Sequence, residues 1–361
     1  MLGKHEEAHI MNSLKDLPGW LNRYSCPAFF VKENIITACN QSAEALLLMT
    51  GTDIRKLLMT GAEEYAGFTG GCLYLKLKLS PKGCGASVTR ETDGDLFLLD
   101  QGPEEAELRS LALAARELRN PLSSLIIAAE ALNHSLGEDP ALLEQLARLN
   151  RRLHQMHRLI NNMSDAGRSD LLSPAGVHDF RRIIYDIFEK IQPQLEKTSV
   201  SLTYEGLSES VYGLANPGQL ERAVLNIISN AMKFMPEGGT IHASLTRQKN
   251  MLHLSIQDSG DGIADNVLGS VFTRYQRQPG IEDSRYGIGL GMVLIRNAAA
   301  DHGGTVLIDR PEGKGTRITM TIAIRQDAPV LKTLVLSPSV DDSRMVLTEL
   351  SDSLPWECYQ K

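Results

Sequence analysis

The chain has 361 residues and a mass of 39.7 kDa, which suits two or three domains better than one. Hydrophobic residues make up 42% and charged residues 22%, so packed cores are expected and a disordered chain is excluded. The formal net charge of −7 and the isoelectric point near 5.8 argue against a protein that binds nucleic acid along its length.

The sequence predicts a reduced, cytoplasmic chain without a membrane span. No stretch approaches the roughly 18 consecutive apolar residues of a transmembrane helix, and the N-terminus lacks the basic-then-apolar order of a signal peptide. The five cysteines are odd in number and form no Cys-x-x-Cys pair, as expected of thiols that stay reduced.

Residues 1–103 are predicted to form a small α+β domain, because short apolar runs alternate with glycine-rich turns. The predicted helix is Ser42–Met49, and the predicted strands are Ala28–Val31, Ile35–Cys39, Cys72–Leu79 and Leu96–Leu99. Two stretches, Ser25–Val31 and Asn40–Ala43, resemble a PAS sensor domain. That resemblance implies an input domain, either with a ligand that the sequence does not name or with no ligand and a role in dimerisation.

Residues 104–166 have the clearest helical periodicity in the chain. Two helices are predicted on either side of a break over Asn133–Pro140, and their apolar residues recur at spacings of three and four. The first helix carries Leu108, Leu111, Ala115, Leu118, Leu122, Leu125, Ala129 and Leu132, and the second carries Leu142, Leu146, Leu149, Leu153, Met156, Ile160 and Met163.

These two helices predict an antiparallel hairpin, which has little core of its own. Two hairpins from two chains form a four-helix bundle. The sequence therefore predicts a homodimer. The alternative is a hairpin that packs on the other domains of its own chain.

Residues 177–326 alternate helical and strand patterns after a polar linker over 167–176, which predicts an α/β sandwich. The predicted helices are Asp179–Lys197 and Pro217–Phe234, and the predicted strands are Ile241–Thr246, Leu252–Gln257, Gly304–Asp309 and Ile318–Ile324. Residues 327–361 offer a strand-like run, Leu334–Leu336, and a helical run, Ser343–Leu354, without a role that the sequence assigns.

The polar residues with the clearest chemistry lie in this third segment. Asn226, Asn230 and Lys233 fall at i, i+4 and i+7 of one predicted helix, so they share a face. Amide oxygens suit Mg²⁺, which prefers hard oxygen ligands, and a lysine one turn later offers a positive charge to a phosphate.

Three glycine-rich stretches follow in order. Asp258–Gly262 comes after a predicted strand, where the carboxylate can accept a hydrogen bond from an exocyclic amine. Gly287–Gly291 precedes a helix, whose free N–H groups and positive dipole end favour phosphate. Gly313–Thr316 is predicted to be a tight turn, and the polar residues 263–286 a mobile lid.

Together these motifs resemble the ATP-binding domain of sensor histidine kinases, which gyrase and the heat-shock chaperone ATPases share. Asn226–Lys233 resembles the N box, Asp258–Gly262 the G1 box, Phe272–Tyr275 the F box and Gly287–Gly291 the G2 box. The resemblance implies ATP and Mg as cofactors, with Asn226 and Asn230 as the Mg²⁺ ligands, Lys233 on phosphate and Asp258 on the adenine amine. Further nucleotide contacts are implied at Gly260, Gly262, Arg274, Arg277, Gly287, Gly289, Leu290, Gly291 and Thr316.

The predicted hairpin resembles the H box of the same family at Ala115–Leu122, except at one position. Arg116 stands where the phospho-accepting histidine is expected. A neutral imidazole attacks phosphorus with a nitrogen lone pair, whereas a guanidinium stays protonated and has none to offer. We therefore expect no phosphorylation at Arg116. A displaced acceptor such as His134, His154 or His157 is the alternative.

Two neighbours of Arg116 keep the family pattern. By the resemblance, Glu117 sits beside the acceptor position, and Asn120 is linked to phosphatase activity toward a response regulator receiver domain. The implied functions are a histidine kinase homologue in two-component signalling, a receiver phosphatase, or a pseudokinase read by a partner. The implied partners are a second copy, a response regulator receiver domain and a partner histidine kinase, with no nucleic acid.

Overall fold

The computed structural model describes residues 17–81, 83–100, 104–135, 139–166, 176–263, 268, 271–272, 290–311, 315–325 and 340–360. They fall into two compact units, one within residues 1–102 and 264–273 and the other within 103–263 and 274–361. Among the helices of the described residues, none combines the length and the apolar character that crossing a bilayer requires.

The first unit contains an antiparallel five-stranded sheet in the order β2-β1-β5-β4-β3. Its strands are β1 Ala28–Lys32, β2 Ile35–Cys39, β3 Cys72–Leu77, β4 Cys84–Glu91 and β5 Gly94–Leu99, and its helices are α1 Leu17–Leu21, α2 Gln41–Glu44, α3 Ile54–Leu57 and α4 Ala62–Ala66. Glu33 and Asn34 have φ values of 51° and 66°, which is the left-handed pair that a two-residue hairpin turn needs.

The helix predicted over Ser42–Met49 is wrong in its extent. The helix α2 ends at Glu44, and Leu47 has a φ of 62°, which a right-handed helix does not tolerate. Two of the apolar residues after α2 are exposed rather than packed, since Leu47 keeps 85% of its surface and Met49 keeps 67%, whereas Leu48 between them is buried. The sequence also did not predict β4, which is paired on both sides, with β3 and with β5.

The second unit begins with the helical hairpin, formed by α5 Glu104–Ser135 and α6 Pro140–Ala166. The helix α5 runs through Pro121, in its interior. Six of the fifteen predicted seam residues are buried between the two helices, namely Ala115, Leu122, Ala129, Leu146, Leu153 and Ile160. Six others are between 41% and 54% exposed, namely Leu118, Leu125, Leu132, Leu142, Leu149 and Met156.

The rest of the second unit is a layered α/β structure. A sheet runs in the order β11-β12-β10-β9-β7, with a separate antiparallel pair of β6 and β8. The strands are β6 Gly176–Asp179, β7 Val200–Glu205, β8 Tyr212–Ala215, β9 Gly239–Gln248, β10 Met251–Asp258, β11 Val306–Asp309 and β12 Arg317–Ala323. The helices are α7 Phe180–Leu195, α8 Pro217–Lys233 and α9 Leu290–Asp301.

Alternate residues of β10 are buried in this sheet, and α8 and α9 supply the apolar faces of the other layer. The sequence did not predict β6, β7 and β8. The short β7 pairs with β9 in parallel, with Leu202 opposite Ile241, whereas β10 is antiparallel to both of its neighbours, β9 and β12.

Residues 340–360 pack on α6, α7 and α8, and we call them the docked segment. They comprise α10 Val340–Glu349 and a single 3₁₀ turn over Trp356–Tyr359. The predicted helix Ser343–Leu354 therefore starts earlier and ends at Glu349. The predicted strand Leu334–Leu336 lies outside the described residues.

Candidate functional site

The helix α8 presents the three residues of the predicted N box. It begins with a capping arrangement in which Asn216 accepts a hydrogen bond from the Gln219 N–H, and Pro217 occupies the first turn. Asn226 is fully buried, and Asn230 and Lys233 follow on the same face as far as the helix end. The predicted shared face is thus present.

Asp258 ends β10 in a turn that fixes its carboxylate. Its Oδ1 accepts hydrogen bonds from the N–H of Gly260 at 2.9 Å and of Thr316 at 3.1 Å, while its own N–H donates to the Thr316 carbonyl at 2.9 Å. Burial raises the pKa of Asp258, and the two N–H donors oppose that shift. Within the described residues, Oδ2 of Asp258 takes part in no hydrogen bond, which leaves it for a donor from a ligand.

Glycines at two points bring the predicted boxes together. A Cβ on Gly291, at the start of α9, would lie 3.1 Å from the Asn226 Oδ1, so the G2 box closely approaches the N box there. A Cβ on Gly260 would lie 2.9 Å from the Phe234 carbonyl oxygen, directly after Lys233. The approach at Gly260 is to backbone and requires a residue without a side chain, whereas a Cβ at Gly291 would crowd the Asn226 amide.

The structure describes only part of the predicted set. It places Asn226, Asn230, Lys233, Asp258, Gly260, Gly262, Leu290, Gly291 and Thr316 in the second unit. Arg274, Arg277, Gly287 and Gly289 lie outside the described residues, and of the F box only Phe272 lies within them, where it is buried. Their predicted roles stay predictions.

Lys233 and Asn226 bind protein groups that the sequence did not suggest. The Lys233 Nζ pairs with Asp352 Oδ2 of the docked segment at 2.8 Å. Arg158 of α6, only 5% exposed, donates from Nη2 to the Asn226 Oδ1 at 3.2 Å and from Nη1 to the same Asp352 oxygen at 2.6 Å. Burial and the neighbouring Arg158 lower the pKa of Lys233, although Asp352 opposes the shift.

Asp352 and Arg158 are the residues that sequence reasoning missed. Neither belongs to a motif, and they are 194 residues apart in the chain. The sequence offers one indication: Arg158 lies two residues after the seam residue Met156, on a helix that contacts further elements besides its hairpin partner. A local pattern does not reveal which elements these are.

The residues present fit Mg²⁺ at Asn230 better than at Asn226. The Asn226 amide oxygen accepts from a guanidinium, whose positive charge disfavours a second cation, and its Nδ2 donates to the Arg222 carbonyl at 2.8 Å. Within the described part of the chain, the Asn230 amide makes one weak hydrogen bond, from Nδ2 to the Met292 sulfur at 3.8 Å. The amide oxygen of Asn230 is a hard ligand of the kind that Mg²⁺ accepts, together with phosphate oxygens.

Residues of the predicted H box lie on the outside of α5. Arg116, Glu117 and Asn120 are all exposed. Of the alternative acceptors, His154 has Nδ1 2.8 Å from the Thr348 Oγ1 and its ring against Tyr359, and His157 is half-buried. The side chain of His134 is outside the described residues.

Known protein families match both parts of the second unit. The family model for the His Kinase A (phospho-acceptor) domain matches residues 106–171. The model for the histidine kinase-, DNA gyrase B-, and HSP90-like ATPase matches residues 215–326.

Characterised relatives match as well. The adaptive-response sensory kinase SasA of Crocosphaera subtropica is 30% identical, over 68% of this chain and 68% of its own length. The sensor histidine kinase RppB of Synechocystis sp. is 28% identical, over 59% of this chain and 48% of its own. The solved full-length ShkA in complex with AMPPNP matches 61% of this chain and 46% of its own, with 20% identity and a TM-score of 0.49.

The two family models and the match to SasA define a histidine kinase-type chain, with a helical hairpin followed by an ATPase-type α/β domain. The chain belongs to the sensor histidine kinases of two-component signal transduction. It spans about half the length of RppB, and 36% of the WalK sensor histidine kinase of Bacillus subtilis.

Proposed function

We propose that residues 177–326 bind Mg·ATP and that the chain acts in two-component signalling without phosphorylating itself at position 116. The observation that supports ATP binding best is the carboxylate of Asp258. Two backbone N–H donors fix its Oδ1, so its Oδ2 faces away from them as an acceptor for the adenine amine. The amide of Asn230 would hold the metal, and the Lys233 ammonium would bind phosphate. The glycines at 260, 262 and 291 would let the backbone lie close to the base and the phosphates.

A matched pair of substitutions tests this proposal. In Asp258→Asn, the two N–H donors hold the amide oxygen at the Oδ1 position, so the NH₂ group meets the donor of the base. We expect the Kd for Mg·ATP in titration calorimetry to rise at least about tenfold, the value of one charge-assisted hydrogen bond. Asp261→Asn removes the same charge from an exposed neighbour and should bind as the wild type does. Absence of binding at millimolar ATP, or equal binding by Asp258→Asn, would contradict the assignment.

The helical hairpin supports a homodimer. Six apolar seam residues are buried between α5 and α6, and six others are about half exposed on the same two helices. An exposed stripe of this kind is stabilised when a second hairpin covers it, which completes the four-helix bundle.

A receiver phosphatase is the second candidate function, and the exposure of α5 favours it. Glu117 and Asn120 lie three residues apart on one helix and are open to a docking partner. An amide at position 120 would orient a water molecule for in-line attack on an aspartyl phosphate, and this step needs no histidine at 116. Incubation with an acetyl-phosphate-labelled receiver domain would detect it as loss of label that Asn120→Ala abolishes.

The first unit would supply the input. Its antiparallel five-stranded sheet with short helices after β2 supports the PAS-like prediction. The response regulator and a partner histidine kinase remain predicted partners. A cytoplasmic location also remains a prediction. If neither kinase nor phosphatase activity is found, an ATP-dependent pseudokinase is the remaining form of the proposal.

A further inference from the structure

The docked segment is fastened to α6 and α8 by polar contacts along its length. Arg151 donates from Nε to the Ser351 carbonyl at 3.1 Å, and Gln155 donates to the same carbonyl at 3.1 Å. Ser353 donates to the Ser229 carbonyl of α8 at 3.4 Å. Apolar side chains of the segment are buried beneath these contacts, namely Val346, Leu347, Leu350, Leu354 and Tyr359.

A buried ionic cluster lies beside these contacts. Glu349 is 2% exposed and stands between Arg158 at 3.5 Å and Arg222 at 3.4 Å. Arg222 of α8 also pairs with Asp165 and donates to the Asn162 Oδ1 at 2.8 Å, both on α6. The docked segment therefore supplies the anion that lets two arginines from different helices lie side by side.

Asp352 extends this cluster to the end of the N box. Its Oδ2 accepts from both Arg158 and Lys233, and its side chain is 35% exposed. Burial would raise the pKa of Asp352, but Lys233 and Arg158 together outweigh that effect and lower it, so the carboxylate is ionised at neutral pH. An anion thus occupies the position that Lys233 offers to a phosphate.

We propose that the docked segment is an autoinhibitory element in which Asp352 competes with the phosphates of ATP for Lys233. Arg158 couples this competition to the first amide of the N box, because it holds Asp352 and the Asn226 oxygen at once. Release of Asp352 frees Lys233 for phosphate and removes one of the two carboxylates that hold Arg158 beside Asn226, the other being Glu349. The inference rests on the proposed binding of Mg·ATP and specifies how that site is regulated.

The test compares two substitutions in the docked segment that remove one negative charge each. Asp352→Asn keeps the shape of the side chain but pairs weakly with Lys233. Glu357→Gln makes the same change at an exposed residue five positions later. We expect Asp352→Asn to lower the Kd for Mg·ATP by about three- to tenfold, which is the effect of losing one partly exposed ion pair that has a second charged donor. Glu357→Gln should leave the Kd unchanged.

Adenosine separates competition at the phosphates from a general loosening of the domain. If Asp352 competes with phosphate, Asp352→Asn binds adenosine no more tightly than the wild type does. Equal tightening toward ATP and adenosine would overturn the proposal, as would equal ATP affinity of Asp352→Asn and wild type. If neither protein binds ATP, the proposed function fails and the autoinhibitory role fails with it.

Hydrogen exchange on the wild-type chain gives a second test that needs no variant. Saturating Mg·ATP should raise amide exchange in residues 345–359, because the phosphates displace Asp352. Adenosine should not raise it. Unchanged exchange in this segment with ATP bound would overturn the proposal.

Discussion

Gly315 offers the sharpest test of how the turn holds the Asp258 carboxylate in its orientation. Its φ is +100°, and a Cβ there would overlap the main-chain oxygen of Asp258, well inside the 3.0 Å that real Cβ atoms keep. A left-handed conformation at a residue other than glycine costs about 1–3 kcal/mol. Because the overlap is with backbone, Gly315→Ala must also shift the turn and lose its two hydrogen bonds to Thr316, at about 1 kcal/mol each.

A matched control isolates the second contribution. Gly303 has a φ of +72°, and a Cβ there would meet only the guanidinium end of Arg325, a flexible group that can move away. Gly303→Ala should therefore show the conformational cost alone. The difference between the two variants should be about 2 kcal/mol, or about 4–8 °C in Tm for a domain of this size.

Scanning calorimetry and ATP titration would measure both effects. We expect Gly315→Ala to unfold at a lower temperature than Gly303→Ala and to bind ATP at least about tenfold more weakly, since Asp258 loses a fixed orientation. Gly303→Ala should bind as the wild type does. Equal stability and equal ATP affinity of the two variants would refute the role assigned to the 258–316 turn.

Three further predictions concern the hairpin and the ATPase-type domain. Leu118→Lys places a charge in the exposed part of the seam, which a second hairpin would bury, and an unpaired buried ion costs several kcal/mol. Sedimentation should therefore show a monomer. A variant that stays dimeric would place the dimer contact elsewhere. The wild-type chain should take no label from ATP, whereas Arg116→His should gain a label that acid removes and base preserves; a wild-type label with that lability would point to another histidine. His302 accepts from the Asn216 N–H and donates to the Ala298 carbonyl as a neutral ring, and burial lowers its pKa. The unfolded chain then binds more protons, so the free energy of unfolding should fall as pH decreases through about 6.5. Urea unfolding at pH 7 and pH 5 should show a smaller loss of stability in His302→Gln than in the wild type. An equal loss in the two proteins would exclude His302 as a source of the pH dependence.

Periodicity was enough to predict the elements that carry the site. The 3-4 spacing predicted both hairpin helices, and the i, i+4, i+7 spacing placed the N-box residues on one face of α8. These features depend on contacts within one helix, which a sequence displays directly. The helix over Ser42–Met49 failed because apolar residues there suggested a packed face, whereas Leu47 is exposed in a left-handed conformation.

The parts that the sequence did not show depend on distant partners. The strand β4 has four consecutive buried residues, among them the polar Ser87, so it lacks the apolar–polar alternation that would reveal a strand before β3 and β5 are known to flank it. Likewise Arg158 resembles any solvated arginine until residues 349 and 352 surround it. Contacts that join residues almost 200 positions apart leave no local trace.

Three of the environments that α6 meets around its circumference limit how it can move. One side is packed on α5, a second is the exposed apolar stripe, and a third holds the docked segment through Arg151, His154, Gln155 and Arg158. These sets interleave every three to four residues, so a rotation of α6 about its own axis displaces all three together. A rotation of α6 that begins at the apolar stripe would therefore displace the contacts of Asp352 and Lys233 without any change in the length of the helix.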